Sequence, residues 1–195
     1  MATPLQALIE HARDIQDQIE KEMANRRAAV EYRFYRGRIV FEESLRQRHR
    51  AARVNLRVFL AETRPMVVLT APLVYSLLLP IALLDLMVTV YQAVCFRVYG
   101  IDRVRRADHV FIDRQNLAYL NTLQKLNCVY CGYSNGVIAY VREVAGRTEQ
   151  YWCPIKHARR VPAPHAQYAE FLEFGEEEDF IARWAQTRED MKSDQ

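Results

Sequence analysis

The 195-residue chain contains no phosphate-binding glycine loop, no dinucleotide fingerprint and no nucleophile triad, so no motif argues for enzyme activity. The aromatic and glycine signatures of an RNA-recognition module are missing as well, which makes nucleic acid an unlikely partner. Charge is nearly absent from one long stretch. MVVLTAPLVYSLLLPIALLDLMVTVYQAVCF, Met66 to Phe96, carries only Asp85 in 31 residues. No N-terminal signal-peptide pattern precedes it. A run of this length exceeds the roughly 20 apolar residues that read as a membrane helix, and it is expected to be an internal membrane segment.

As one straight helix the run would be about 46 Å long, too long for a hydrocarbon core of about 30 Å unless it tilts or kinks. Pro72 and Pro80 each remove an amide donor and crowd the preceding turn, so a bend is expected near one of them. Both flanks are basic: residues 26 to 64 carry 11 Arg against 4 Glu, and Arg97, Arg103, Arg105, Arg106 and Arg114 follow the run. By the positive-inside rule both flanks belong to the cytoplasmic face. This favours a re-entrant hairpin turned near Pro80, with a kinked single span as the alternative. Asp85 inside the run requires compensation. Protonation, a hydroxyl from Thr89, Tyr91 or Ser76, or a partner subunit would supply it. Asp85 then reads either as a polar membrane site or as a carboxylate capping the helix start after Pro80.

Upstream, Leu5, Leu8, Ala12, Ile15 and Ile19 recur at helical spacing with acidic residues outside the stripe. The helical pattern is expected to continue from Ala28 through Val30, Phe34, Val40, Phe41, Leu45, Ala52, Leu56 and Phe59, broken at Gly37. Arg46, Arg48, Arg50, Arg53 and Arg57 form a basic face close to the apolar run, suited to anionic lipid headgroups or to fixing topology. Residues 170 to 195 carry 9 acidic side chains against 3 basic, as either a strap for the Arg-rich helices or a solvated tail.

Cysteine is scarce, four in all, yet three of them are patterned. Cys128 and Cys131 have the spacing of a metal knuckle, and Cys153 and His157 that of a second ligand pair, a set that suits tetrahedral zinc. A continuous helix between the pairs would hold them apart. A helix ending at Gly146, with residues 147 to 152 returning along it, would let the site close. Iron or an iron-sulfur centre on the same residues, a thiol redox pair at Cys128 and Cys131, and buried cysteines without metal are the other readings. His165 is a substitute ligand, and Cys95 reads as apolar filling.

The blocks LLDL, YQAVCFRVYGI, NCVYCGYSNG and RTEQYWCPIKHARR resemble those of a family of small, functionally uncharacterised bacterial inner-membrane proteins, over about residues 30 to 175. The resemblance implies a bacterial membrane protein and brings neither an activity nor a ligand set. The expected architecture is mostly α: an amphipathic, Arg-rich helical region (1–64), a membrane-embedded hairpin or kinked span (65–97), a cytoplasmic Cys3His zinc module (98–165) and an acidic helical tail (166–195). The expected function is a zinc-binding structural or adaptor protein at the inner membrane, with membrane lipids and a protein partner or homo-oligomer around it. The rival is a membrane-bound redox or metal-dependent enzyme acting on a lipid or quinone through Cys128 and Cys131.

Overall fold

The computed structural model describes all residues except 1–3, 29–31, 36–37, 179 and 193–195, so Val30 and the break expected at Gly37 lie outside the described residues. The chain is mostly helical and divides into two compact units, residues 1–55 with 116–121, and residues 56–115 with 122–195.

In the first unit, α1 (Pro4–Ala28) follows the expected helical spacing, with Leu8, Ile15 and Ile19 of its stripe exposed. The helix expected to continue through Phe34 and Val40 is replaced by an antiparallel pair, β1 (Tyr32–Tyr35) and β2 (Arg38–Phe41), in the register Tyr32↔Phe41 to Tyr35↔Arg38. The two four-residue runs YRFY and RIVF are rich in the aromatic and β-branched types that suit a pleated surface. Helix α2 (Glu43–Ala51) places His49 edge-on to both Phe41 and Tyr119, with ring centroids 5.3 and 5.0 Å away.

The second unit begins with α3 (Leu56–Glu62) and continues into one long apolar helix, Pro65–Tyr99. That helix comprises α4 (Pro65–Ser76), α5 (Leu78–Tyr91), a π turn over Gln92–Phe96 and α6 (Arg97–Tyr99). The expected hairpin is therefore absent. Pro80 cannot donate to the Ser76 carbonyl, and the helix answers with an interruption at Leu77, whose N–H reaches back three residues to Val74 O at 3.3 Å. The interruption puts Pro80 in the first turn of α5, where an amide would lack a helical partner anyway. The chain leaves the helix through Gly100, at φ +72°, in a Schellman-type stop: Ile101 N–H bonds Phe96 O at 2.9 Å and the two side chains pack together in the core.

Residues 101 to 121 return, mostly without regular structure, to the start of α7 (Thr122–Trp152). This 31-residue helix lies beside the apolar helix and runs in the same direction. Tyr75 pairs with Asn127, Asp85 with Tyr133, Thr89 with Tyr140 and Tyr91 with Thr148, so the partner number rises on both sides. At the far end Tyr99 stacks on Tyr151 at 5.0 Å. The shared core is Phe96, Ile101, Val104, Tyr140 and Val144.

Two glycines one turn apart let the return segment cross α7 closely. A Cβ on Gly132 would lie 2.7 Å from Phe111 O, and one on Gly136 would lie 2.7 Å from Val110 Cα. The final segment docks on the other end of α7. There α8 (Phe180–Asp190) sends Trp184 Nε1 and Arg188 Nε to Tyr151 O at 2.8 and 3.0 Å, supplying donors where the helix has exposed carbonyls. The Arg188 guanidinium lies 3.7 Å from the centre of the Trp184 ring.

Candidate functional site along the apolar helix

Asp85 lies in the interior of α5, not at the helix start, so the capping role does not apply. Its carboxylate receives a two-pronged bond from Arg106, Nε to Oδ1 at 2.9 Å and Nη2 to Oδ2 at 2.7 Å, and a third bond from the Tyr133 hydroxyl at 3.0 Å. The compensation thus comes from two groups far along the chain. None of the hydroxyls expected to supply it does so: Ser76 Oγ donates to Leu73 O, Thr89 faces Tyr140, and Tyr91 faces Thr148. Burial, and then the carboxylate it donates to, hold the Tyr133 phenol above the usual tyrosine range.

Two turns further on, Gln92 (2 % exposed) opens the π turn and treats the return segment as a neighbouring strand would. Its Oε1 accepts from Val104 N–H at 3.0 Å while its Nε2 donates to Val104 O at 3.2 Å and to the Tyr140 hydroxyl. Return-segment residues alternate in consequence. Val104 and Arg106 turn inward to Gln92 and Asp85, while Arg103 and Arg105 line a surface cleft with Glu143 and Arg147. Sequence reasoning missed Arg106, Tyr133, Gln92 and Tyr140 as a set. The period-two pattern of VRR, with one Arg in and its neighbour out, was the available signal.

The four expected zinc ligands are not brought together. Helix α7 passes unbroken through Gly146, with Cys128 and Cys131 near its start and Cys153 just beyond its end. Cys131 and Cys153 are therefore about 33 Å apart along the axis at 1.5 Å per residue. Gly146 serves a different purpose: a Cβ there would meet Gln167 Oε1 and His165 Nδ1 at 2.9 Å, so the glycine makes room for residues 165–167 against the helix. Among the described residues no group of three or more His, Cys, Asp and Glu side chains is placed to hold a metal ion.

Cys128 and Cys131 are half-buried free thiols and Cys153 is exposed. His157 stacks on Tyr168, and its main-chain N–H donates to the Tyr168 hydroxyl at 2.7 Å. His165, the substitute ligand, pairs instead with Glu149 at 2.9 Å and Gln167 at 3.0 Å.

Arg46, Arg48 and Arg50 sit on α2, Arg53 follows it, and Arg57 lies on α3. Arg46 pairs with Glu43 at 3.0 Å, while Arg48, Arg50, Arg53 and Arg57 are exposed. No protein-family profile, curated protein or solved structure matches the chain.

Proposed function

We propose that the protein is a membrane-anchored structural or adaptor protein of a bacterial inner membrane, held there by the apolar helix, with its Cys-containing segment on the cytoplasmic side. One observation carries this reading. The apolar helix turns Asp85, Thr89, Tyr91 and Gln92 toward α7 and the return segment, and its other side is mostly hydrocarbon: Leu69, Leu73, Leu79, Leu83, Leu86 and Val98 are 58 to 78 % exposed. An apolar surface of this extent on a soluble monomer is an aggregation hazard, whereas in lipid it is satisfied. Arg64 and Arg97 stand near the two ends of the helix. Together with Arg46, Arg48, Arg50, Arg53 and Arg57 they supply attraction to anionic headgroups of about 1 kcal/mol each near the surface.

The test is flotation of the purified full chain with phosphatidylethanolamine and phosphatidylglycerol vesicles, followed by washes with high salt and with alkaline carbonate. The chain should remain with the vesicles through both. Recovery in the aqueous fraction would remove the anchoring role.

A further inference from the structure

We infer that the apolar helix lies along one leaflet of the membrane instead of crossing it, with α7 and the return segment on the aqueous side and both ends of the helix at the cytoplasmic face. The inference rests on the anchoring reading above and specifies its geometry. Its ground is the lateral register of the two helices. From Tyr75 to Tyr99 the apolar helix is accompanied by α7, which starts at Thr122 and ends at Trp152. Among the described residues the apolar helix alone is long and apolar enough to cross a membrane. Any depth assigned to one helix is assigned to its neighbour.

Two spanning placements can be compared, since a hydrocarbon core of about 30 Å covers some 20 residues. If residues 79 to 98 fill the core, they carry with them Arg106 on Asp85, Arg103 and Arg105 beside Val104, and Arg142, Glu143 and Arg147 on the turns between Tyr140 and Thr148. Charged groups at the bilayer centre are strongly disfavoured. If residues 65 to 84 fill it instead, the charges escape but Leu86, Met87, Val90, Val94 and Val98, all 53 to 75 % exposed, are left in water. It also sends one of the two Arg-rich flanks to the far side.

A helix lying along the leaflet meets all three demands at once. Its outer side faces acyl chains over its whole length, the polar groups from Asp85 to Gln92 keep their partners, and neither flank is translocated. The width of the outer side selects lipid over a second copy of the chain. Leu69, Leu73, Leu77, Leu79, Leu83 and Leu86 spread over about 180° of the helical wheel, broader than the narrow seam through which two helices pair. Helix α4 has no buried residue.

Two measurements on the full chain test the geometry. Cys153 is exposed beyond the end of α7, close to Trp152, which packs on Tyr99; Glu62 is exposed just before the apolar helix begins. The Glu62→Cys variant is treated with a membrane-impermeant maleimide in sealed right-side-out and inverted inner-membrane vesicles, and labelling is read peptide by peptide by mass spectrometry. Both sites should be labelled in inverted vesicles and protected in right-side-out ones. Labelling of the two sites from opposite faces would establish a span and overturn the inference while leaving the anchoring reading intact.

Spin labels at Leu79, Leu86 and Val98 supply the second readout, by oxygen and nickel accessibility. All three should report a common shallow depth of about 5–10 Å. A separation of about 28 Å between Leu79 and Val98 along the bilayer normal would mean a span. Failure of the chain to float with vesicles, or its recovery as a soluble dimer, would remove the anchoring reading and the leaflet geometry together.

Discussion

The apolar helix and α7 run side by side in the same direction, yet they present different side chains outward. The apolar helix buries Asp85 and Gln92 and exposes a wide band of leucine and valine, while α7 buries Val137, Tyr140 and Val144 beside the small residues Gly132, Ser134, Gly136 and Gly146, and exposes Asn135 and Arg142 with only scattered apolar residues such as Ile138. In water a helix behaves as α7 does. On the anchoring reading the two helices are matched to different surroundings, and the seam between them is where those surroundings are reconciled. Hydrogen bonds and one ion pair form much of that seam. An apolar seam would let the helix exchange its partner for lipid at little cost, whereas separating Asp85 from Arg106 and Tyr133 within hydrocarbon would leave a bare carboxylate.

The largest break in this arrangement is steric. Gly136→Val would drive a branched side chain into Val110, whose Cα already lies 2.7 Å from the position of a Cβ. The return segment must then leave α7, and the cost should be about 3 kcal/mol, seen as a lower unfolding midpoint in detergent. Gly132→Val should behave alike, because the obstacle there is also backbone, the Phe111 carbonyl.

The contrast itself is sharpened by placing the same charge on each helix. Leu86→Arg should weaken partitioning onto vesicles by about 2 kcal/mol, roughly thirtyfold, since the side chain can reach the interface from a shallow helix but cannot lose its charge. Ile138→Arg, an equally exposed apolar position on α7, should leave partitioning unchanged. A loss at Ile138 equal to that at Leu86 would place lipid on both helices.

The ion pair is next in size. The Arg106 side chain remains 42 % exposed while that of Asp85 is 12 % exposed, so water partly screens the pair and its removal is discounted from the 3–5 kcal/mol of a fully buried one to about 2 kcal/mol for Arg106→Met. Asp85→Asn in the same chain should restore part of the loss, because a neutral amide tolerates the site better than an unpartnered carboxylate. A double-mutant cycle reads the coupling. A coupling of zero would mean that the two groups are held by their surroundings and not by each other.

How much of this was legible in the sequence depended on the range of the interaction. The apolar run was, because 31 residues with one charge need no partner to be recognised. That Asp85 needed compensation was legible too, but Arg106 and Tyr133 lie 21 and 48 residues away, and no local pattern links them to it. Pro80 was rightly read as a disturbance and wrongly as a turn: the helix absorbs the missing amide at Leu77 and continues. The helix expected through Phe34 and Val40 failed in the opposite way. There a 3.6-residue period was drawn across a short stretch whose residue types favour strands.

Gly146 is the most instructive case, because the metal expectation rested on it. A glycine inside a helix costs about 1 kcal/mol relative to alanine, which makes it a natural place to end one. Here the penalty is offset by what the missing side chain admits: the loop of His165 and Gln167, which ties the helix to its own Glu143 and Glu149. With α7 intact, Cys128 and Cys153 lie about 37 Å apart along the axis and share no partner, so their effects on stability should simply add. Cys128→Ser and Cys153→Ser, each alone and then combined, should give a sum within about 0.5 kcal/mol, with the same result in the presence of a chelator. Cys153, exposed, should contribute almost nothing, and Cys128, half-buried, a few tenths of a kcal/mol for exchanging a thiol for a better hydrated hydroxyl. If instead the two thiols and His157 closed around one zinc, the first substitution would already release the metal and the second would add little, a non-additivity of several kcal/mol that vanishes with chelator. That outcome would require α7 to break near Gly146, and hydrogen exchange across residues 142 to 150 would show it as fast-exchanging amides in the last third of an otherwise protected helix.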